Sequence, residues 1–163
     1  MIDNRRRTSI AALVLSAAGL VGIVVHEGYT DRAVVPVPGD VPTIGFGTTE
    51  GVKIGDKTTP PVALERALRD VTKFEGAVKR CVHVPLTQDE YDVYVDQAYN
   101  VGASAFCNST MVNKLNAEDY AGACAEFDRW YKFQGKDCRN RANKCYGLVE
   151  RRAQSRAKCE GRA

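Results

Sequence analysis

The chain has 163 residues, enough for one domain with a sizeable core and too few for two ordinary domains. Hydrophobic residues make up 44% of it and charged residues 26%, a composition typical of a globular protein and not of a disordered one. The net charge is +3, of which Arg5, Arg6 and Arg7 less Asp3 supply +2, so a strongly basic domain is excluded and no nucleic acid partner is expected.

An uncharged, apolar segment occupies residues 9–25. As an α-helix rising 1.5 Å per residue it would be about 25 Å long, slightly less than a hydrocarbon core of about 30 Å, so it could only just span a membrane. The arginines before it would hold the N-terminus in the cytoplasm and send the rest of the chain outward. A permanent anchor would be longer and richer in large apolar residues, whereas a cleaved signal peptide could use the small residues 16–18 as its cleavage site.

A glutamate, an acidic turn and a threonine next to glycines follow the apolar segment: Glu27, Asp40 and Thr43. Hydrolysis of a glycosidic bond needs one carboxylic acid to protonate the leaving oxygen and a second, ionised carboxylate to direct water or attack the sugar. These three residues could supply the acid, the base and a hydroxyl that holds water. By residue type alone, a surface loop with two solvated acids is the simpler interpretation.

The middle of the chain predicts a turn and then two helices. Residues 50–57 alternate and are rich in glycine, which is typical of a small β-hairpin or turn. Thr59 and the two prolines after it begin a helix. Its buried face is predicted from helical spacing to be Leu64, Ala67, Leu68, Val71, Phe74 and Val78. Thr87 and Glu90 form a capping box for the next helix, which should end near residues 100–102.

The last third of the chain predicts further helices and a basic loop. A short helix should begin at Asn108 or Ser109, and Asn116 could cap the helix after it. Trp130, the only tryptophan, is interpreted as a core residue rather than as a stacking platform for a sugar. Residues 132–145 form a basic, polar loop, which suits either a solvated surface or contact with acidic peptides and lipids.

Six cysteines, at positions 81, 107, 124, 138, 145 and 159, all follow the apolar segment. An even number of cysteines in an exported chain predicts as many as three disulfides, although six cysteines allow 15 connectivities. Cys138 and Cys145 flank a short basic loop and could form a local bridge, and the other pairings stay open. A zinc site is disfavoured because no Cys-x-x-Cys pair exists and both His26 and His83 lie far from the late cysteines.

Several stretches, in order, resemble the phage-type, T4-lysozyme-like muramidases. The pair Glu27-Gly28 followed by residues 42–49, Pro-Thr-Ile-Gly-Phe-Gly-Thr-Thr, is similar to the family's active-site segment. The further matches are Pro85–Gln88 leading to Tyr99–Gly102, Leu115–Tyr120 leading to Trp130, and Gly147–Arg152. Together they cover roughly residues 26–159, and they imply an α+β, mostly helical lysozyme-like fold with a small β-hairpin region near the active site.

The resemblance also implies an activity. Proteins of this family cut the β-1,4 bonds of peptidoglycan between N-acetylmuramic acid and N-acetylglucosamine, so we expect an endolysin that acts on the glycan strand as a monomer, without a metal or organic cofactor. Glu27 would be the general acid, with its pKa raised in a partly apolar pocket, while Asp40 stays ionised and Thr43 helps to hold a water, which gives inversion. A position in the last helix, where Arg151 and Arg152 lie, helps to order the family's site, although a plain surface pair fits equally well.

The spacing of the second carboxylate departs from the family pattern. The family usually places eight residues between the glutamate and the aspartate, and that count from Glu27 arrives at Pro36. Thr43 is also one residue further from Glu27 than the pattern requires. Asp40 is the nearest carboxylate, and Asp31 is the other candidate.

The family adds a third interpretation of residues 9–25. Some of its members carry a signal-anchor-release segment, a weak transmembrane helix that exports the enzyme, tethers it to the inner membrane and later slips into the periplasm. On this hypothesis residues 1–25 are that segment and residues 26–163 the lysozyme-like catalytic domain, inactive while tethered. Because no cysteine precedes residue 81, refolding of the freed helix, not disulfide exchange, would complete the site.

Two rival functions stay open. A lytic transglycosylase needs the glutamate but no second carboxylate, which would fit a chain with proline at the usual aspartate position. A membrane-tethered peptidoglycan-binding protein with a decayed site would bind the wall and leave it intact.

Overall fold

The computed structural model describes residues 6–162, so Arg5 in the basic N-terminal cluster lies outside the described part. The helices and strands, in chain order, are α1 (Ala17–Glu27), β1 (Thr30–Val34), β2 (Thr43–Gly45), α2 (Pro60–Cys81), α3 (Gln88–Val101), α4 (Ala103–Cys107), α5 (Thr110–Asn116), α6 (Tyr120–Ala125), β3 (Lys132–Phe133), β4 (Lys136–Asp137) and α7 (Gly147–Cys159). Helices thus dominate, with two small antiparallel strand pairs. The predicted α+β class is confirmed.

Helix α3 is the centre of the molecule. Its residues 90–98 are all buried, because neighbouring helices pack against it from several sides. The predicted capping box starts it: the Glu90 amide donates to the Thr87 hydroxyl over 3.1 Å, and the Thr87 amide donates to the Glu90 carboxylate over 2.8 Å. Buried charged groups on such a helix need partners, and residues of other segments supply them.

The apolar segment does not form one continuous helix. A 3-10 turn covers Ile10–Ala12, the next residues are extended, and α1 begins only after Ser16, whose hydroxyl accepts a hydrogen bond from the Gly19 amide over 2.9 Å. An N-cap serine favours this break because it satisfies a free amide of the first helical turn. Among residues 6–162, every helix is too short or too polar to cross a bilayer.

Polar side chains of α2 and α3 receive the start of this segment. The Leu15 amide donates to Glu75 over 2.7 Å, and the Ser16 amide donates to Asp92 over 3.0 Å. Asp92 also accepts from the Ser16 hydroxyl, and Gln88 donates to the carbonyl oxygen of Val14 over 2.9 Å. The amides and carbonyl oxygen of this extended segment are removed from water, and side chains of α2 and α3 supply the hydrogen bonds that water would otherwise make.

The strand pair that follows α1 carries most of the expected catalytic segment. β1 and β2 are antiparallel, with Thr30 opposite Gly45 and Val34 opposite Thr43. Residues 35–42 connect them as an exposed loop that contains the Pro-Gly-Asp turn. The predicted β-hairpin region therefore lies directly after Glu27.

All six cysteines form disulfides, which leaves no thiolate as a zinc ligand. The predicted local bridge between Cys138 and Cys145 is confirmed. The other two bridges join α2 to α4 through Cys81–Cys107 and α6 to α7 through Cys124–Cys159.

Two local predictions were wrong. Asn116 does not cap α6; its side chain instead bonds the backbone of the segment after α2, and Asp119 caps the helix by accepting from the Gly122 amide over 2.9 Å. Leu64 and Leu68 are 44% and 52% exposed, because α2 buries alanines and valines on the face toward α3.

Candidate active site

Glu27 is the last residue of α1, and its side chain is 21% exposed. The helix ends there because Gly28 has φ +68°, a left-handed conformation that glycine adopts without strain. The chain then turns directly into β1, so the carboxyl group lies where the helical body meets the hairpin region.

The loop after β2 closes over the same carboxyl group. Gly47 has φ +83°, and a Cβ atom at that position would lie 3.0 Å from Glu27 Oε2, so only glycine permits this close approach. Tyr99 on α3 holds the loop by donating its hydroxyl hydrogen to the carbonyl oxygen of Phe46 over 2.9 Å. Burial, and then the charge of Glu27, raises the pKa of Tyr99, which keeps this hydroxyl a donor at neutral pH.

Arg151 on α7 connects Glu27 to α3. Its guanidinium Nη1 and Nη2 atoms both lie 3.3 Å from Glu27 Oε1, and Nη2 lies 2.8 Å from Asp96 Oδ1. His26 approaches the other oxygen of Asp96, with Nδ1 3.6 Å from Oδ2. Three helices thus bring two carboxylates and one guanidinium together below the hairpin, and Arg151 is no surface residue.

The pKa values of Glu27 and Asp96 are shifted in opposite directions. Burial raises the pKa of Glu27 above the usual carboxyl value, even though Arg151 acts in the opposite direction. Burial also acts to raise the pKa of Asp96, but the approach of His26 and the bond and charge of Arg151 outweigh it and hold this pKa below the usual value. One group therefore tends to keep its proton while the other stays ionised, a pattern that favours acid catalysis by Glu27.

A cleft of about 260 Å³ opens beside the Gly47 loop. Its lining residues are Gly47, Thr49, Glu50, Asp70, Lys73, Phe74 and Tyr99. Asp70 accepts a hydrogen bond from the Thr48 hydroxyl over 2.8 Å, and Lys73 forms an ion pair with Glu50 across the opening. The wall combines aromatic rings with hydrogen-bonding groups, which suits a hydroxyl-rich ligand.

The other predicted site residues lie along the hairpin. Asp40 is exposed in the loop between the strands, where its Oδ1 atom accepts from the Val41 amide over 2.9 Å. Thr43 begins β2, and its hydroxyl donates to the carbonyl oxygen of Val41 over 3.2 Å. Asp31 is exposed within β1. Within the described part of the chain, Glu27 shares no hydrogen bond with Asp40, and a base that acts through an intervening water requires none.

Arg152 is one of the two arginines of the last helix that the family resemblance associated with the site, with a plain surface pair as the alternative. It is only 3% exposed, and it donates to Gln97 Oε1 over 2.6 Å, to Asn100 and to the Trp130 carbonyl oxygen over 3.3 Å. These bonds fix α7 against α3 and so set the direction of Arg151. Asp96 was missed, and its one signal in the sequence was a charged residue among the apolar positions of α3.

An α+β body of packed helices, with a half-buried carboxylic acid beside a polar cleft at the edge of a small hairpin, defines a lysozyme-like enzyme. The model of the family described as phage lysozyme matches residues 24–155 of this chain. The chain belongs to the phage lysozyme family.

Known proteins of similar sequence and structure agree with this assignment. The chain is 34% identical to the endolysin of Acyrthosiphon pisum secondary endosymbiont phage 1 over 143 residues, 88% of this chain and 95% of the relative. It is 36% identical to the SAR-endolysin of Pseudomonas phage phiKMV over 116 residues, 71% of each chain. The solved structure of an endolysin from Escherichia coli O157:H7 phage FAHEc1 superposes with a TM-score of 0.77 at 32% identity, covering 94% of this chain and 96% of that one.

The predicted enzyme class is therefore confirmed: this is a lysozyme, a glycoside hydrolase of the endolysin type. The roles of Glu27, Asp40 and Thr43 stay predictions.

Proposed function

We propose that this enzyme hydrolyses the β-1,4 bonds between N-acetylmuramic acid and N-acetylglucosamine in peptidoglycan during host cell lysis, with Glu27 as general acid. The observation that carries the proposal is the half-buried Glu27 carboxyl group, whose pKa burial raises, beside a cleft that suits a glycan. A raised pKa favours the protonated form, and the leaving oxygen requires a proton donor.

The second carboxylate is assigned to Asp40. Its exposed turn keeps the carboxyl group in contact with water, the reactant that a general base must reach. The Thr43 hydroxyl donates its hydrogen to the Val41 carbonyl oxygen, so its oxygen keeps acceptor capacity for a water molecule. With Glu27 as acid and a water between the two carboxylates, the sugar configuration inverts.

Replacing Asp40 by asparagine is expected to lower kcat by roughly 10²–10⁴-fold, because the neutral amide cannot accept a proton from water. Asp31→Asn is the matched control, since it removes an equally exposed carboxylate from the same hairpin. The measurement is release of reducing ends from purified peptidoglycan. If Asp40→Asn keeps most of the activity while Asp31→Asn loses it, the base is Asp31.

A lytic transglycosylase is the second candidate, and proline at position 36 is the observation that favours it. Mass analysis of the released fragments separates the two reactions. Hydrolysis leaves reducing muramic acid ends, whereas transglycosylation leaves anhydro sugars. Anhydro products, together with an active Asp40→Asn variant, would replace the first proposal with the second.

The tethering of residues 1–25 in the inner membrane, with the catalytic domain (residues 26–163) in the periplasm, also belongs to this proposal. Support comes from the relative named as a SAR-endolysin and from the arginine-flanked apolar segment. In the structure, Leu13 and Ile23 of that segment lie in the core, and Glu27 ends the same helix. Insertion of residues 9–25 in lipid would withdraw these side chains from the domain, so docking of the released segment would complete the active site.

Two glycines of α1 give a matched test of docking. A Cβ atom at Gly19 would lie 2.7 Å from Leu15 Cδ1 and 2.8 Å from Asp92 Cγ, whereas a Cβ atom at Gly22 would meet nothing within 4 Å. Both substitutions add one methyl group to α1, Gly19→Ala in its first turn and Gly22→Ala in its interior. Gly19→Ala is expected to lower the free energy of unfolding of the soluble chain by about 1–3 kcal/mol through overpacking, whereas Gly22→Ala should raise it by up to roughly 1 kcal/mol.

Denaturant unfolding of the purified full chain, with peptidoglycan digestion in parallel, checks this pair. Lysis by Gly19→Ala should be slowed beyond lysis by Gly22→Ala. Equal stability and equal lysis for the two variants would mean that the face of α1 at Gly19 does not dock on Asp92.

A further inference from the structure

Two carboxyl groups, one half-buried and one buried, share one guanidinium where α1, α3 and α7 meet. Glu27 comes from α1, Asp96 from α3 and Arg151 from α7, and the side chains of Asp96 and Arg151 are each 11% exposed. A single positive charge cannot neutralise two ionised carboxylates in a site largely removed from water. One of the two acids must therefore be the better partner of Arg151.

The geometry identifies that partner as Asp96. The Arg151 Nη2 atom lies 2.8 Å from Asp96, a normal charge-assisted hydrogen bond, whereas both guanidinium contacts to Glu27 are 3.3 Å long. Asp96 also has His26 at 3.6 Å on its other oxygen. Glu27 is the more exposed of the two acids, and it faces the Gly47 loop.

We propose that Asp96 is a positioning residue for catalysis: it holds Arg151 by the shorter of the two contacts and so leaves Glu27 free to carry the proton that it delivers to the substrate. The inference rests on the proposed role of Glu27 as general acid. Asp96 acts through Arg151 and touches no reacting atom.

The charged and titratable groups around Glu27 come from each packed element. α1 contributes His26, α3 contributes Asp96 and Tyr99, and α7 contributes Arg151 and, further away, Arg152. Of these, Asp96 is the one group whose negative charge is fixed within hydrogen-bond distance of Arg151. Its removal changes both the local charge and the direction of the guanidinium.

The sign of the effect follows from these contacts. Asparagine at position 96 keeps an oxygen acceptor but loses the negative charge. Glu27 is then left as the carboxylate in contact with the Arg151 guanidinium. The ionised form of Glu27 is then stabilised, and its pKa falls. A general acid works only while protonated, so the alkaline limb of the kcat/KM profile should move to lower pH in Asp96→Asn, by about one pH unit or more.

The test is the pH dependence of kcat/KM on solubilised peptidoglycan for the full chain, Asp96→Asn and Glu126→Gln. Glu126 is the matched control, because it is a buried carboxylate, 5% exposed, that pairs with Lys114 and has no part in the contacts of Glu27 or of the α1 segment. Its substitution should lower the free energy of unfolding without shifting the alkaline limb of the kcat/KM profile. An unmoved limb in Asp96→Asn, or a uniform loss of activity at every pH, would overturn the proposal and leave Asp96 a structural residue.

Carbon-13 NMR titration of the side-chain carboxyl groups in the unaltered chain gives a second, independent measurement. Asp96 should ionise at lower pH than Glu27, and the order does not depend on any variant folding. The reverse order would overturn the proposal. Because titration needs no substrate, it also separates the two claims: an active Glu27→Gln enzyme would refute the proposed acid, while this ionisation order could still hold.

Discussion

Replacement of Glu27 by glutamine should abolish peptidoglycan hydrolysis, with a loss of at least about 10³-fold in kcat, because an amide of the same shape has no acidic proton for the leaving oxygen. The folded domain should survive. Glutamine retains an oxygen acceptor for Arg151, which still has Asp96 as its shorter partner. A clean loss of chemistry without a loss of structure is the expected signature.

The stability of this variant has a predictable sign. Because the folded-state pKa of Glu27 is raised, ionisation of this group opposes folding as the pH rises through the carboxyl range toward that pKa. The neutral amide avoids this effect, so Glu27→Gln should unfold at the same temperature as the natural chain or higher at neutral pH. Thermal unfolding measured at pH 4 and pH 7 checks the sign.

Glu65→Gln is the control, since Glu65 is an exposed carboxylate on α2, outside the cleft lining. It should keep full activity. Activity retained in Glu27→Gln would place the acid elsewhere. A natural chain that binds peptidoglycan but releases no fragments would instead favour the non-catalytic binding protein.

A permanent anchor in place of residues 9–25 should block lysis. Small residues, namely alanine, glycine and serine, occupy eight of these seventeen positions. Leucine at all eight adds about 2–5 kcal/mol of insertion free energy at roughly 0.3–0.6 kcal/mol each. The population of the released state should then fall by roughly 30-fold to several thousand-fold, and Glu27 would stay away from Arg151. The measurement is the time of lysis after induction in cells.

A second substitution set separates membrane affinity from docking. Val14, Val21 and Val25 are 66%, 58% and 71% exposed in the docked segment. Lysine at these three positions opposes insertion, by about 3 kcal/mol for each lysine at the helix centre, while leaving the face that packs on α3. This variant should digest peptidoglycan normally in solution. Lysis by the permanent-anchor variant as fast as by the natural chain would refute activation by release.

Local chemistry explains what the sequence predicted well. The Thr87 and Glu90 capping box, the short span between Cys138 and Cys145, and the glutamate before the hairpin each depend on neighbouring residues, and the first two are confirmed. Long-range pairing explains what it missed. Nothing near Asp96 in the sequence indicates Arg151, which is 55 positions away and reaches it only because α7 packs on α3.

The apolar segment was difficult for a different reason. In lipid a continuous helix satisfies its own backbone, so an uncharged run of this length predicts one. In the folded domain, Glu75 and Asp92 accept hydrogen bonds from the backbone amides of Leu15 and Ser16, and α1 begins one residue after Ser16. On the proposed tethering, the same residues would occupy two environments, and the side chains that receive them in the folded domain lie far along the chain.

On the proposed tethering, the positions of the disulfides decide how much of the chain must still fold when α1 docks. All three bridges lie beyond residue 80, and none involves α1. If residues 1–25 are tethered as proposed above, oxidation can fasten the body of the enzyme before α1 docks, and completion of the site becomes an intramolecular association instead of the folding of a whole chain. Only Gly28 and Tyr29 separate α1 from β1, so the effective concentration of α1 beside α3 would be high once it left the bilayer. Departure from the membrane, and not the docking of α1 beside α3, would then set the timing of lysis.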